Sequence, residues 1–494
     1  MITTRLVIAI SVICLGSLQF GYHMAELNSP EAILSCRLSK PKLGVPYSES
    51  WFGRKGFAEC IPMEPNQVGL VTSIFSVGGL IGLTYVGRFA DDFGRKRTSI
   101  IASVIYIIGG LFNTFANLYL ALLLGRFIVG FGAGGALVIT PMFINEIAPN
   151  DYKGFFGAMN QVSINIGILI TQTLALKWSN NNDWRLLLGS AAVIAAINLA
   201  FTAFYVEESP VWLANKGFTG EAIKNLHFLR GGDYNDARDE INSWVVRHPS
   251  SLGTQTSYSD GVESDELLNS MGENGDPIPT SINRGTVDLS TYLKSPEYKN
   301  SRIVATGILI LQQLCGINSI IFYGVSVLVS IFPNYAVVIN FLISIVNVVV
   351  TFISGTLLDK LGRKPLLMAS VSIMGISTVF IGIGIIYTSA FLSIVGIFTY
   401  IIFFAIGLGP IPFLIVGEVT QPRAKASAQS WGTAMNWCAT FVVGYSFPVL
   451  KNSPLGGAVY FIFTGVCLFT YFFVDKYIPE TKNTKSYEEV WGSI

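Results

Sequence analysis

Twelve stretches in which nearly every position is apolar alternate along the chain with short segments that hold most of its charge. They cover residues 6–27, 67–86, 98–116, 118–140, 155–176 and 186–206, then 303–331, 336–357, 367–387, 390–417, 427–449 and 455–474. Each is close to the roughly 20 residues that cross a hydrocarbon core. Backbone groups cannot stay unpaired in lipid, so each run is expected to be helical. The first run is long and ends in His-Met-Ala-Glu without a small-residue cleavage pattern, so it reads as a span and not a leader. One long polar segment, 207–300, parts the sixth run from the seventh. Glu221 to Gly232 has helical spacing and a glycine stop, which predicts one short surface helix. The stretch 249–288, rich in Ser, Thr, Asp, Gly and Asn, predicts a disordered insertion. The expected organisation is an all-α membrane protein with halves 1–206 and 301–494 and a cytoplasmic linker between them.

The halves echo each other. Gly87-Arg-Phe-Ala-Asp91-Asp-Phe-Gly94-Arg95-Lys96 returns 268 positions later as Gly355-Thr-Leu-Leu-Asp359-Lys-Leu-Gly362-Arg363-Lys364. Glu146 is answered by Glu418, and Glu208-Ser-Pro by Glu480-Thr-Lys, each 272 positions on. Internal repetition of this kind marks a two-part membrane carrier.

Composition agrees with the pattern: 51% of residues are hydrophobic and 13% charged, against about 25% charged in a soluble domain. A net charge of +1 argues against a nucleic-acid partner held by bulk charge. Arg88, Arg95, Lys96, Arg97, Lys153, Lys360, Arg363, Lys364, Arg423, Lys425, Lys476, Lys482 and Lys485 all fall on one side if both termini are cytoplasmic. The loop 28–66 breaks the rule with Arg37, Lys40, Lys42, Arg54 and Lys55, partly offset by Glu31, Glu49, Glu59 and Glu64. It also holds Cys36 and Cys60, a disulfide candidate on an oxidising face, with two free thiols as the alternative.

Polar side chains inside the runs need a reason. Arg126 lies within the fourth, where a charge costs about 2.5–3.5 kcal/mol, so it must face protein or water. His23 sits at comparable depth with Glu26 one turn later, and Glu26 and Arg126 act on the imidazole in opposite senses. Gln161, Gln312, Gln313, Asn318, Asn347 and Asn436 accompany Tyr323, Phe413 and Trp437. Amides donate and accept without the cost of a charge, so this set suits a neutral ligand covered in hydroxyls, a sugar. Gly407-Leu-Gly-Pro410-Ile-Pro412 is expected to break the tenth span, as is tolerated where backbone lines a cavity. The three histidines lie far apart in this topology and no nucleophile–base or metal constellation is present, so an enzyme, a cofactor and a metal site are not expected.

With these strings goes a resemblance to the sugar porter family of the major facilitator superfamily, and to its GLUT-type glucose facilitators and fungal relatives. Further matches are Gly16-Ser-Leu-Gln-Phe-Gly-Tyr22, Gly125-Arg126-Phe, Pro141-Met-Phe-Ile-Asn-Glu146, Gln312-Gln-Leu-Cys-Gly-Ile-Asn318, Asn436-Trp437 and Pro479-Glu-Thr-Lys482. The resemblance implies twelve helices and alternating-access transport of a glucose-like hexose by a carrier that works as a monomer. It puts Gln161, Gln312, Gln313, Asn318, Asn347, Phe413, Asn436 and Trp437 around the sugar. It casts Asp91, Arg95, Glu146, Glu208, Asp359, Arg363, Glu418, Arg423 and Glu480 as a lock that pairs across the inner face. Departures are Phe413 for a usual Trp, Ala405 for Glu, Phe143 for Tyr and Val211 for Arg. His23 stands where symporters of the family carry Asp and facilitators Asn. Arg126 thus lacks a carboxylate at that position, which favours facilitated diffusion over a proton symporter using His23 and Glu26. A sugar sensor without transport is a further reading. Short tails and the lack of an Asn-x-Ser/Thr sequon on outer loops favour a vacuolar or other internal membrane.

Overall fold

The computed structural model describes residues 2–42, 44–149, 152–246, 287–482 and 487–492, and among these it contains helices and turns but no strand. The first half is α1 (Thr4–Ala25), α2 (Pro65–Phe93), α3 (Arg95–Thr114), α4 (Tyr119–Ile147), α5 (Lys153–Trp178) and α6 (Trp184–Tyr205). Three linker helices follow: α7 (Pro210–Asn215), α8 (Thr219–Arg230) and α9 (Tyr234–Val246). The second half begins with α10 (Lys299–Leu314), α11 (Ile317–Ile321), α12 (Gly324–Val329) and α13 (Ala336–Leu361). It continues with α14 (Arg363–Ile386), α15 (Ala390–Phe403), α16 (Ile411–Glu418), α17 (Lys425–Lys451) and α18 (Val459–Tyr477).

Ten spans in the described chain are long and apolar enough to cross a membrane. The two remaining helices of the twelvefold pattern, α5 and α17, have the length, 26 and 27 residues, but more polar positions. Their packing explains the difference, because α5 lies on α13 and α17 on α2. Both form the seam between the halves, where polar side chains meet protein instead of lipid.

Two expectations change and one is met. The span 303–331 is not one helix: α10 ends at Leu314 and Gly316, at φ 100°, turns the chain before α11 and α12. A Cβ at Gly316 would stand 2.6 Å from the Phe463 ring, so both conformation and space call for glycine. The tenth span breaks at a π-type turn over Phe404–Leu408, just ahead of Pro410. The linker holds more than the one helix expected: a further short helix covers Leu289–Lys294, and α7 to α9 bury a small core of their own through Leu213, Ala222, Leu226, Ala237 and Ile241. Arg230 docks it on the end of α4 by donating to the Ile147 and Ala148 carbonyls (3.2 and 3.1 Å). Residues 249–286 of the expected insertion lie outside the described residues.

The halves meet most closely toward the end that carries the loop 28–66. Asn28, just past α1, donates to the carbonyls of Ile320 (3.2 Å) and Ile321 (2.7 Å) and accepts from the Val325 N–H (2.9 Å). One side chain of the first half thereby satisfies backbone released between α11 and α12. Trp437 of α17 packs on Phe20 and Phe75, each 5.8 Å between ring centres, over Gly79 of α2. Asn165 Nδ2 reaches Thr351 Oγ1 at 2.9 Å across α5 and α13.

Both copies of the repeated motif make the same turn. Gly94 (φ 96°, ψ 163°) joins α2 to α3 and Gly362 (φ 92°, ψ 167°) joins α13 to α14, in a region of backbone space that is essentially glycine's alone. A Cβ at Gly94 would stand 2.3 Å from Glu208 Oε2, and one at Gly362 2.8 Å from Glu480 Oε2. The room lets each carboxylate reach free N–H groups of a helix start: Glu208 accepts from Arg95 (2.8 Å) and Lys96 (3.1 Å). Glu480 accepts from Arg363 and Lys364, both at 3.0 Å. A helix N-terminus favours such an anion. Gly94→Ala and Gly362→Ala should each destabilise by about 1–3 kcal/mol, whereas Gly87→Ala, whose nearest neighbour is Val138 at 4.0 Å, should be near neutral. Thermal unfolding in detergent measures this, and equal shifts at positions 87 and 94 would refute it.

Candidate functional site

The break after α15 frees the carbonyls of Leu408 and Gly409, and a row of amides answers it. Gln312 Nε2 donates to both (2.8 and 2.9 Å), and its Oε1 accepts from Asn436 Nδ2 (2.8 Å). Gln313 Nε2 donates to Asn436 Oδ1 (3.2 Å), and Asn318 Nδ2 to Gln313 Oε1 (2.7 Å). Gln312, Asn318 and Asn436 are buried and Gln313 is half-buried. Both amide hydrogens of Gln312 are engaged by backbone, so it braces the broken helix. Gln313 makes only long bonds through its NH2, and Asn318 Oδ1 is buried without a partner among the described residues. These two keep capacity for a ligand. Asn347 is half-buried and accepts from Thr351 at 3.4 Å, Gln161 and Phe413 are exposed, and Trp437 is buried in the seam. The amides of α10, α11 and α17 therefore form one network, and Gln161 and Asn347 stand outside it.

A second polar group lies wholly inside the first half. Glu26 holds Arg126 Nη1 (2.6 Å) on one oxygen and His23 Nδ1 (2.9 Å) on the other, and all three residues are completely buried. Arg126 Nη1 also donates to the His23 carbonyl (2.8 Å), and Asn113 Nδ2 to Glu26 Oε1 (3.3 Å). Rings complete the enclosure: His23 stacks on Tyr106 at 5.1 Å, and the Arg126 guanidinium sits 4.8 Å over Phe75. Arg126 is thus paired with a carboxylate after all, supplied from three positions beyond His23 at the end of α1. Position 23 itself carries no carboxylate, as expected, and the turn at the close of α1 brings Glu26 back toward α4 in its place.

At the opposite end the charged residues gather in two matching clusters. Arg95 binds Glu146 through two nitrogens (2.8 and 2.9 Å) and Asp91 (3.0 Å), and Ser209 Oγ donates to Glu146 (2.5 Å). Arg363 binds Glu418 (3.0 Å), which Thr481 Oγ1 also reaches (2.5 Å). Arg423 stands apart on Glu297 (2.5 Å), and Asp359 lies in α13. The lock expected to pair across the two halves is therefore closed within each half: among the described residues no ion pair joins them. The reason is local saturation, since each carboxylate finds its donors on its own half.

In the loop 28–66, Cys36 and Cys60 are bonded, with their Cα atoms 5.3 Å apart. Arg37 pairs with Glu31 and Lys42 with Asp183, while Arg185 donates to the carbonyls of Thr114, Ala116 and Ala58. Of the loop's positive charges, Lys42 is thereby tied to the start of α6 and Arg37 to the loop itself. Two side chains escaped the sequence reading. Asn28 carried no signal, since its partners lie about 290 positions away. Gln19, one turn before His23, is buried with neither amide atom partnered among the described residues. Its place inside Gly16-Ser-Leu-Gln-Phe-Gly-Tyr22 was the available sign.

Two six-helix halves with broken helices and side-chain amides at their junction define a membrane carrier. The chain belongs to the sugar (and other) transporter family, whose model matches residues 9–491. It is 45% identical over its whole length, and over 96% of the relative, to "Probable metabolite transport protein YBR241C" of Saccharomyces cerevisiae. It is 29% identical to the rat "Solute carrier family 2, facilitated glucose transporter member 3", covering 99% of this chain and 92% of that one. The E. coli xylose transporter XylE, in a partially occluded inward-open conformation, shares the fold with TM-score 0.75 at 21% identity, over 98% of this chain and all of that one. The chain is thus a multi-pass sugar-transporter family member of the major facilitator type, not an enzyme.

The triad makes a stability prediction. Glu26→Gln strands Arg126 in a fully buried site and should cost about 3–5 kcal/mol, as should Arg126→Gln for Glu26. The double substitution should cost clearly less than the two added together. Thermal unfolding of the three variants reads this, and additive losses would show that Glu26 and Arg126 are not coupled.

Proposed function

We propose that this chain carries a glucose-like hexose across its membrane by alternating access, with both termini on the cytoplasmic side and the disulfide loop on the other. The observation that supports the substrate class is the amide row Gln312, Asn436, Gln313 and Asn318, which ends in the unpartnered Asn318 Oδ1 and the loosely held Gln313. Donors and acceptors without net charge fit sugar hydroxyls. In this reading Gln313 and Asn318 contact the sugar, Gln312 and Asn436 position them, and Gln161, Asn347 and Phe413 line the path on the facing side. Net movement is facilitated diffusion, because Glu26 and Arg126 already neutralise each other in a fully enclosed site.

One observation favours a second reading, proton coupling: the symporter-like pairing of Arg126 with a carboxylate exists here through Glu26. Proteoliposome uptake of radiolabelled glucose decides between the two. Counterflow without a pH gradient supports the facilitator, and uphill accumulation driven by a gradient and lost in His23→Asn supports the symporter. Gln313→Ala should weaken sugar binding by about 1–3 kcal/mol, one to two decades in Kd, with unfolding temperature unchanged. Unaltered affinity in both Gln313→Ala and Asn318→Ala would overturn the assignment of the pocket.

A further inference from the structure

Where α1 enters the membrane, its first turn and the linker helix α8 enclose a groove of about 510 Å³ lined by Thr3, Thr4, Arg5, Lys224, His227 and Phe228. Three of these side chains are cationic or can become so. Arg5 and Lys224 are exposed, and neither forms an ion pair among the described residues. Arg5 is held in place by an aromatic face: its guanidinium lies 4.3 Å over the Phe228 ring. The neighbouring Arg230 differs, being paired with Glu240. The groove thus collects positive charge that nothing in the described chain neutralises.

Its floor adds donors. The first intrahelical bonds of α1 run from Val7 N–H to the Thr3 carbonyl and from Leu6 N–H to the Thr3 hydroxyl. The N–H groups of Thr4 and Arg5 come before these, so they are free at the positive end of a 22-residue helix. A fork-shaped guanidinium, an ammonium, an imidazole and helix-start N–H groups around one concavity suit a phosphate group, which offers several acceptor oxygens and up to two charges. Carboxylates fit less well, having two oxygens for this many donors.

The side of α1 next to the groove says where that phosphate comes from. Ile8, one helical turn beyond Thr4 and Arg5, is 45% exposed, and Val7 is 42% exposed. An apolar, uncovered strip therefore begins directly beneath the cationic groove. We propose that this groove binds the headgroup of an anionic phospholipid, its phosphate on Arg5, Lys224 and the start of α1 and its acyl chains along Val7 and Ile8. By tethering α8 to α1 through a lipid, the site would link the linker helices to the membrane surface. No such role follows from sugar transport itself.

The test uses the full chain in detergent and titrates phosphatidic acid, phosphatidylcholine or inorganic phosphate while following the unfolding temperature. Phosphatidic acid should raise it in the wild type and phosphatidylcholine should not. In Arg5→Gln/Lys224→Gln the apparent affinity for phosphatidic acid should fall about 25-fold, taking roughly fivefold for each basic side chain at a membrane surface. Arg5→Lys/Lys224→Arg, which keeps the charge and controls for folding, should retain most of the binding. Equal responses of wild type and the Gln variant to phosphatidic acid would overturn the site. Protection by inorganic phosphate as strong as by phosphatidic acid would overturn the lipid as its occupant.

Discussion

Unpaired backbone in a membrane is the constraint on which the rest of this structure depends. A helix can be broken at membrane depth only where something else supplies its missing hydrogen bonds, and here side-chain amides do so at both breaks. Gln312 takes the carbonyls of Leu408 and Gly409, and Asn28 takes those of Ile320 and Ile321 together with the Val325 N–H. The two cases differ in origin. Gln312 belongs to the same half as the break it caps, so that break is permanent. Asn28 comes from the other half, so the second break is fully satisfied only while the two halves are together at that end. Parting them would expose three backbone groups at about 1–3 kcal/mol each if they stayed dry, and entering water replaces those bonds. Under the proposed alternating access, opening of this end would be tied to wetting.

The halves divide the polar work unequally. Buried charge sits in the first, as Glu26, Arg126 and His23 packed between Tyr106 and Phe75. Buried amides occur in both halves, and the broken helices sit in the second. Charge in a dry interior is tolerated only when fully paired, and the pairing fixes geometry strongly because its loss is costly. Amides are cheaper to rearrange, since each can trade one neutral bond for another.

Much of this was legible in the chain because it rests on local rules. Apolar run length gave the spans, and the doubled Gly-x-x-x-Asp-x-x-Gly-Arg-Lys gave the two-part plan. Even the break near Pro410 was readable, since proline and glycine act on their own helix. What escaped depends on contacts distant in sequence or on direction in space. Gly316 looks like any membrane glycine until Phe463 is found where its Cβ would be. Asn28 has no meaning without the helix it caps. Glu26 was visible as a neighbour of His23, but spacing alone does not say that it turns to Arg126 and leaves both paired. The polar character of α5 and α17 blurred their spans for the same reason that it places them at the seam.

The charged clusters show most clearly how a local rule became a global one. Each arginine of the repeated motif ties three places in its own half: the turn at Gly94 or Gly362, the helix end at Glu146 or Glu418, and the segment after the sixth helix at Ser209 or Thr481. Such a knot stiffens one end of a six-helix bundle. An arginine whose charge is already met within its own half is not paired with the other, and among the described residues no ion pair joins the halves at this end. At the far end Asn28, and midway along the helices Trp437 and the Asn165–Thr351 bond, hold them together. Two bodies without an ion pair between them at one end and joined elsewhere by neutral contacts fit the rocking that the proposed alternating access calls for.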